Sequence, residues 1–206
     1  VCLIAPPVRR VAADGKAMRR LDTVIGPFMN LIQAIENRKI RSAVIGAGYV
    51  GLPLAVEFAM AGYDVTIIDI DADKVRRINK GKSYIPDVSE ALLRRAVREK
   101  GLRATVDYSE IRRMDSVNIC VPTPLRKTKD PDLSYVIAAT ENVRDHLHRG
   151  LLVILESTTY PGTTEEIVLP ILEETGLCVG RDFHLAFSPE RVDPGNPEYS
   201  TRNIPK

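Results

Sequence analysis

Residues 42–69, SAVIGAGYVGLPLAVEFAMAGYDVTIID, constrain this chain more than any other stretch. Ala43, Val44 and Ile45 form the apolar, mostly β-branched run that a strand buried on both faces requires. It ends directly on Gly46-Ala47-Gly48-Tyr49-Val50-Gly51, a GxGxxG spacing. Gly46 permits a tight turn, Gly48 lets backbone N–H groups approach a pyrophosphate with no Cβ between, and Gly51 lets a helix pack close to the sheet. The unpaired N–H groups and positive dipole end of that helix supply an anion site before any side chain is involved. Leu54, Ala55, Phe58 and Ala59 give the helix an apolar face, and Gly62 stops it. Residues 65–68 read as the second strand. Asp69 stands at its carboxyl end, about 20 residues beyond the glycines, where an acid for the adenosine ribose is expected. The unit is a dinucleotide-binding βαβ. A membrane span is excluded because Glu57, Pro53 and four glycines interrupt the apolar run. Pro53, which lacks an N–H, is expected to bend the start of the helix.

The rest of the chain reads as additions to that unit. Residues 1–26 show no sustained period and are expected to be a flexible segment. Phe28, Leu31, Ile32 and Ile35 recur at helical spacing over 27–38, with Pro27 in the first turn, so a short amphipathic helix should precede the domain. Helices are expected over 71–80, 88–100, 133–147 and from 161 to about 174, and strands over 103–106, 116–121, 151–155 and 184–187. In the helix over 88–100, Ala91, Leu92, Ala96 and Val97 should face inward. The alternation gives an α/β fold: a Rossmann-like, doubly wound, mostly parallel sheet with helices on both faces, occupying residues 27–206. Ligands in such sheets bind beyond the carboxyl ends of strands, which here carry the polar loops 121–125, 156–160 and 188–196.

A net charge of +2, with no dense basic run beside an aromatic platform, argues against nucleic acid. Cys2, Cys120 and Cys178 are an odd number without CxxC spacing, so neither a disulfide framework nor a metal site is indicated and a cytoplasmic location is expected. No secretion signal or membrane segment is read. Cys120, in an expected core strand, is read as a buried structural cysteine rather than a nucleophile, and His146, His148 and His184 as surface or packing residues.

Through GAGYVGLPLA, CVPTPL, PDLSYV, ESTTYPGTTEE and FSPERVDPGN, the chain resembles the UDP-glucose and GDP-mannose dehydrogenase family, and within it most the branch acting on UDP-N-acetylglucosamine or UDP-N-acetylmannosamine. The likeness runs from about Asn30 to the last residue and covers only the family's N-terminal, NAD-binding half. Members oxidise the sugar C6 alcohol to a carboxylate with two NAD⁺, through an aldehyde and an enzyme-bound thioester that water hydrolyses. The resemblance implies that Gly46, Gly48, Tyr49, Val50, Gly51, Asp69, Lys74, Val121, Pro122, Thr123, Pro124, Ser157, Thr158 and Thr159 contact NAD. It implies that Thr158 and Glu190 position the hydrolytic water, and that Glu190, Arg191, Val192 and Asp193 face the sugar. RVDP departs from the UDP-glucose pattern and points to a different sugar. The family's nucleophilic cysteine, its UDP-binding domain and its dimer-forming helix have no counterpart here. The chain alone is therefore expected to bind NAD and to be inactive, with a UDP-sugar substrate and a homodimer belonging to the complete enzyme. A stand-alone NAD-binding or regulatory module is the other reading.

Overall fold

In the computed structural model, which describes residues 2–3, 31–127, 131–189 and 191, the elements run in the following order. First come β1 (Cys2–Leu3), a helix α1 at residues 31–36, β2 (Arg41–Ile45), α2 (Gly51–Ala61), β3 (Asp64–Ile68), α3 (Ala72–Asn79), α4 (Glu90–Lys100) and β4 (Arg103–Thr105). A 3₁₀ helix (Tyr108–Arg113), β5 (Ser116–Ile119), α5 (Ser134–Arg144), β6 (Leu152–Leu155), a π-helical turn (Thr164–Val168), α6 (Leu169–Glu173) and β7 (His184–Phe187) follow. The strands form one sheet in the order β1-β7-β6-β5-β2-β3-β4. The chain steps outward from β2 through β3 to β4, then returns to the other side of β2 and steps outward through β5, β6 and β7. Neighbours from β4 to β7 are all parallel. The order reverses between β2 and β5, and in such sheets the crevice beyond those two carboxyl ends takes the ligand.

Successive side chains of β2 point to opposite faces, and each face has its own core. Ala43 and Ile45 join Val117, Ile119, Val153, Leu155 and Leu185 against Val136, Ala139 and Val143 of α5 and Leu172 of α6. Val44 joins Val65 and Ile67 against Leu52, Ala55, Val56 and Ala59 of α2, with Ile78, Leu93 and Ala96. Each fully buried aliphatic side chain contributes about 1.5–3 kcal/mol, against about 0–1 kcal/mol for exposed ion pairs such as Arg95–Glu99. The two apolar layers therefore hold the sheet, and the expected doubly wound α/β architecture is the observed one.

Local differences from the sequence reading have identifiable causes. Cys2–Leu3 pairs antiparallel with Phe187 and Ala186 on the outer edge of β7, an edge strand that a search for hydrophobic period does not detect in two residues; the remainder of 1–26 lies outside the described residues. Bonds from Leu52 N–H to the Gly48 carbonyl and from Leu54 N–H to the Val50 carbonyl, both 3.1 Å, bracket Pro53. Its missing bond falls in the first turn, and α2 continues to a left-handed Gly62. α4 starts at Glu90 because Ser89 caps it, accepting from Leu92 N–H. Leu93 and Ala96 are its fully buried residues, Leu92 and Val97 pack half-buried against the same core as expected, and Ala91 is exposed. The helix after β6 opens with a π turn rather than a regular α turn. Among the described residues no helix is long and apolar enough to cross a membrane.

Candidate functional site

The three glycines of the first turn have different reasons to be glycine. At Gly46 the backbone is left-handed, φ 95°, and an added Cβ would lie 2.6 Å from the Cys120 carbonyl oxygen. At Gly51 a Cβ would lie 1.8 Å from the Gly46 carbonyl oxygen, which no adjustment of a side chain relieves. At Gly48 it would meet nothing within 4 Å. The first two are required by the fold and the third faces open cleft. Gly46 N–H donates to the Ile68 carbonyl at 2.8 Å, so the turn is stitched to the end of β3 as well.

That strand delivers Asp69, only 6% exposed, to the turn. Its Oδ2 accepts from Ala47 N–H at 2.6 Å and its Oδ1 from Asp71 N–H at 2.8 Å. A carboxylate offers about four lone-pair positions, so two are left for hydroxyl donors in the cleft. Lys74 Nζ stands 3.9 Å from Oδ2, placed there by α3, whose start Asp71 caps through Asp73 N–H and Lys74 N–H. Burial, and next the Asp69 charge, push the phenols of Tyr84 and Tyr108 upward, so both stay protonated donors at neutral pH.

Two clefts meet at Asp69. One of about 420 Å³ runs along the glycine turn between Tyr84 and the Cys120 to Pro122 segment. The other, about 340 Å³, lies between Ile70, Tyr108, Tyr135 and Asn142. Gly46, Asp69, Lys74, Val121 and Pro122 line both. Their chemistry suits a dinucleotide: a backbone turn open to a diphosphate, a buried acid for ribose hydroxyls, and an aromatic and aliphatic slot for a base. NAD therefore fits these residues.

Beyond the turn, the loops after β5 and β6 are tied together. Thr123 Oγ1 donates to the Thr158 carbonyl at 2.7 Å, and Ser157 Oγ to the Val121 carbonyl at 2.8 Å. Asp132 N–H closes the first loop on the Pro124 carbonyl at 2.7 Å. Thr158 is exposed on this rim and Thr159 half-buried beside it, while Ser157 is buried against the strand ends. Tyr49 is exposed and Val50 is the residue before α2. Arg191 is exposed, and Glu190, Val192 and Asp193 lie outside the described residues. Cys120, 5% exposed, sits beneath the turn, its Cβ 3.2 Å from the position a Cβ on Gly51 would take. Cys178 precedes the amino end of β7, at the opposite end of the sheet from the cleft. Among the described residues no group of His, Cys, Asp and Glu could hold a metal.

The sequence reading gives no role to Tyr84, Tyr108, Tyr135 or Asn142: Tyr84 in a loop and Tyr108 in a 3₁₀ helix carry no periodic signal, and nothing in the helical period of α5 marks Tyr135 and Asn142 as facing a cleft. Asp71 was recoverable as an N-cap acid.

A family model for the NAD binding domain of the UDP-glucose/GDP-mannose dehydrogenase family matches residues 40–206. A UDP-N-acetyl-D-glucosamine 6-dehydrogenase of Salmonella typhi is 38% identical over 82% of this chain, and a UDP-N-acetyl-D-mannosamine dehydrogenase of Pyrococcus horikoshii 43% identical over 76%. The chain spans 39% and 37% of their lengths. The solved GDP-mannose dehydrogenase of Pseudomonas aeruginosa superposes with a TM-score of 0.72 at 31% identity, over 75% of this chain and 37% of that one. The solved P. horikoshii UDP-D-ManNAc dehydrogenase gives 0.71 at 42% identity, over 76% and 37%.

Proposed function

Because the chain belongs to the UDP-glucose/GDP-mannose dehydrogenase family and carries its NAD-binding domain, we propose that it is the NAD-binding part of an enzyme oxidising C6 of a UDP-N-acetylhexosamine to the uronic acid with two NAD⁺. The observation that carries the cofactor half of this reading is buried Asp69 bound to Ala47 N–H beside an open Gly48, at the reversal of strand order. Asp69 and the Gly48 turn receive ribose and diphosphate, and Ile70, Tyr108 and Tyr135 receive the base. The loops holding Thr123, Ser157, Thr158 and Thr159 form the rim toward the reacting end. NAD⁺, when bound, supplies the hydride acceptor. Thr158 and Glu190 position the attacking water, and Glu190, Arg191, Val192 and Asp193 face the sugar. The choice of a UDP-N-acetylhexosamine rests on the likeness to the S. typhi and P. horikoshii enzymes. A cytoplasmic, reducing compartment agrees with Cys120 and Cys178 standing outside any disulfide, and a homodimer is assigned to the longer enzyme.

A second reading, an NAD-binding module without turnover, is favoured by one observation: Cys120 is only 5% exposed beneath the glycine turn, and Cys178 lies at the end of the sheet away from the cleft. Calorimetry with NAD⁺ and NADP⁺ tests the cofactor assignment, and equal affinity for both would remove it. A reading frame that continues into a segment with a reactive cysteine and lysine favours the dehydrogenase over the module.

A further inference from the structure

The loop between α3 and α4 reaches back over the glycine turn. Tyr84 Oη donates to the Ala47 carbonyl at 2.8 Å, a contact 37 residues apart in sequence. Ala47 C=O and Gly48 N–H belong to one planar trans peptide and point in opposite directions. Holding the oxygen on one side therefore aims the N–H to the other. The preceding peptide is fixed separately, since Ala47 N–H is bound by Asp69 Oδ2. Gly48 is the residue with the widest backbone freedom, and nothing lies within 4 Å of its missing Cβ to restrain it by packing.

We infer that Tyr84 is a positioning residue for the diphosphate-binding turn: its hydroxyl holds the Ala47 carbonyl so that the Gly48 N–H is aimed into the cleft. The tyrosine is itself held. The Arg77 guanidinium lies over its ring at 4.9 Å, and Arg77 Nη2 donates to the Ser83 carbonyl at 2.9 Å. Ile85 and Val88, both buried, anchor the loop in the α2 side of the core. Burial keeps the phenol protonated, so the clamp persists across the physiological pH range.

This rests on the NAD-binding reading, and the test separates the two. NADH and ADP-ribose are titrated calorimetrically into the parent chain and into Tyr84→Phe, and adenosine binding is followed by saturation-transfer NMR. Tyr84→Phe should weaken NADH and ADP-ribose about tenfold, or about 1.4 kcal/mol, with adenosine unchanged. A parent that binds none of the three overturns the cofactor reading itself. A parent that binds, with Tyr84→Phe unchanged or weakened equally for adenosine, overturns the positioning role. If Tyr84→Phe does not fold, Arg77→Met is used, which keeps the hydroxyl but frees the ring. It should weaken the two diphosphate ligands about two- to fourfold and leave adenosine alone, and parent-like affinities would overturn the inference.

Discussion

A Cβ added at Gly51 would lie 1.8 Å from a main-chain oxygen, whereas one added at Gly48 meets nothing within 4 Å. Gly51→Ala should therefore lower the thermal midpoint, since forcing atoms into a packed core costs about 1–3 kcal/mol. Gly48→Ala should leave that midpoint unchanged and weaken NAD binding at least tenfold by occupying the diphosphate's space. Parent-like affinity of Gly48→Ala in calorimetry would show that the diphosphate does not lie at this turn. Asp69→Ala should weaken NAD by roughly one to two orders of magnitude, because a hydrogen bond to a charged group is worth about 1.5–3 kcal/mol. Lys74, 3.9 Å from that acid, offsets part of its repulsion of a 2′-phosphate. Lys74→Ala should widen the preference for NAD⁺ over NADP⁺, and a narrower one would argue against this role. The glycines and Asp69 are legible in sequence because one strand-turn-helix-strand unit fixes their spacing. Tyr84 is not, because its partner lies across a loop whose return path no local pattern encodes.

Elements are legible where apolar period and end signals agree. Gly62 and Gly101 end α2 and α4 in the left-handed region as expected, while Ser89 moves the start of α4 because a side-chain cap outweighs the apolar Val88. β1 is illegible, since two residues have no period and gain their place only from the free edge of β7. The turn before β7 depends on a charge. Asp182 Oδ2 accepts from Cys178 N–H at 3.0 Å and from Arg181, and Arg149 pairs with Oδ1 at 2.6 Å. The Arg181 bond, then the Cys178 N–H, lower its carboxyl to about 2 in the folded chain. In the unfolded chain an aspartate titrates near 3.9. A lowered folded value means a stabilising contribution that is complete above about pH 4 and is lost as pH falls toward 2. Asp182→Asn should remove that part of the pH dependence. Acid unfolding followed by circular dichroism checks it: an unchanged slope between pH 4 and 2 would mean that Asp182 does not couple the turn to protonation.

At the scale of the whole molecule, the alternation of strands and helices made the doubly wound sheet legible, but the lateral order of strands, and hence which loops meet, came only with the pairing of β2 to β5. That pairing brings Cys120 under the turn and leaves Cys178 at the far end of the sheet. Covalent oxidation of an aldehyde through a thioester needs a thiolate within reach of C6 and activated by its surroundings. Cys120 is 5% exposed, with Gly51 at the start of α2 packed closely over it. Holding a sugar's C6 against the nicotinamide also requires binding surface, and positioning of this kind can account for about 7–11 kcal/mol of a barrier. The described residues place the turn, the ribose acid and the rim loops together, with Cys120 buried beneath the turn and Cys178 at the far end of the sheet. These 206 residues should accordingly bind NAD and form no NADH when mixed with NAD⁺ and UDP-N-acetylglucosamine or UDP-N-acetylmannosamine. Binding is read by calorimetry and turnover by absorbance at the NADH band; sustained NADH formation would show that the chain carries a complete catalytic site.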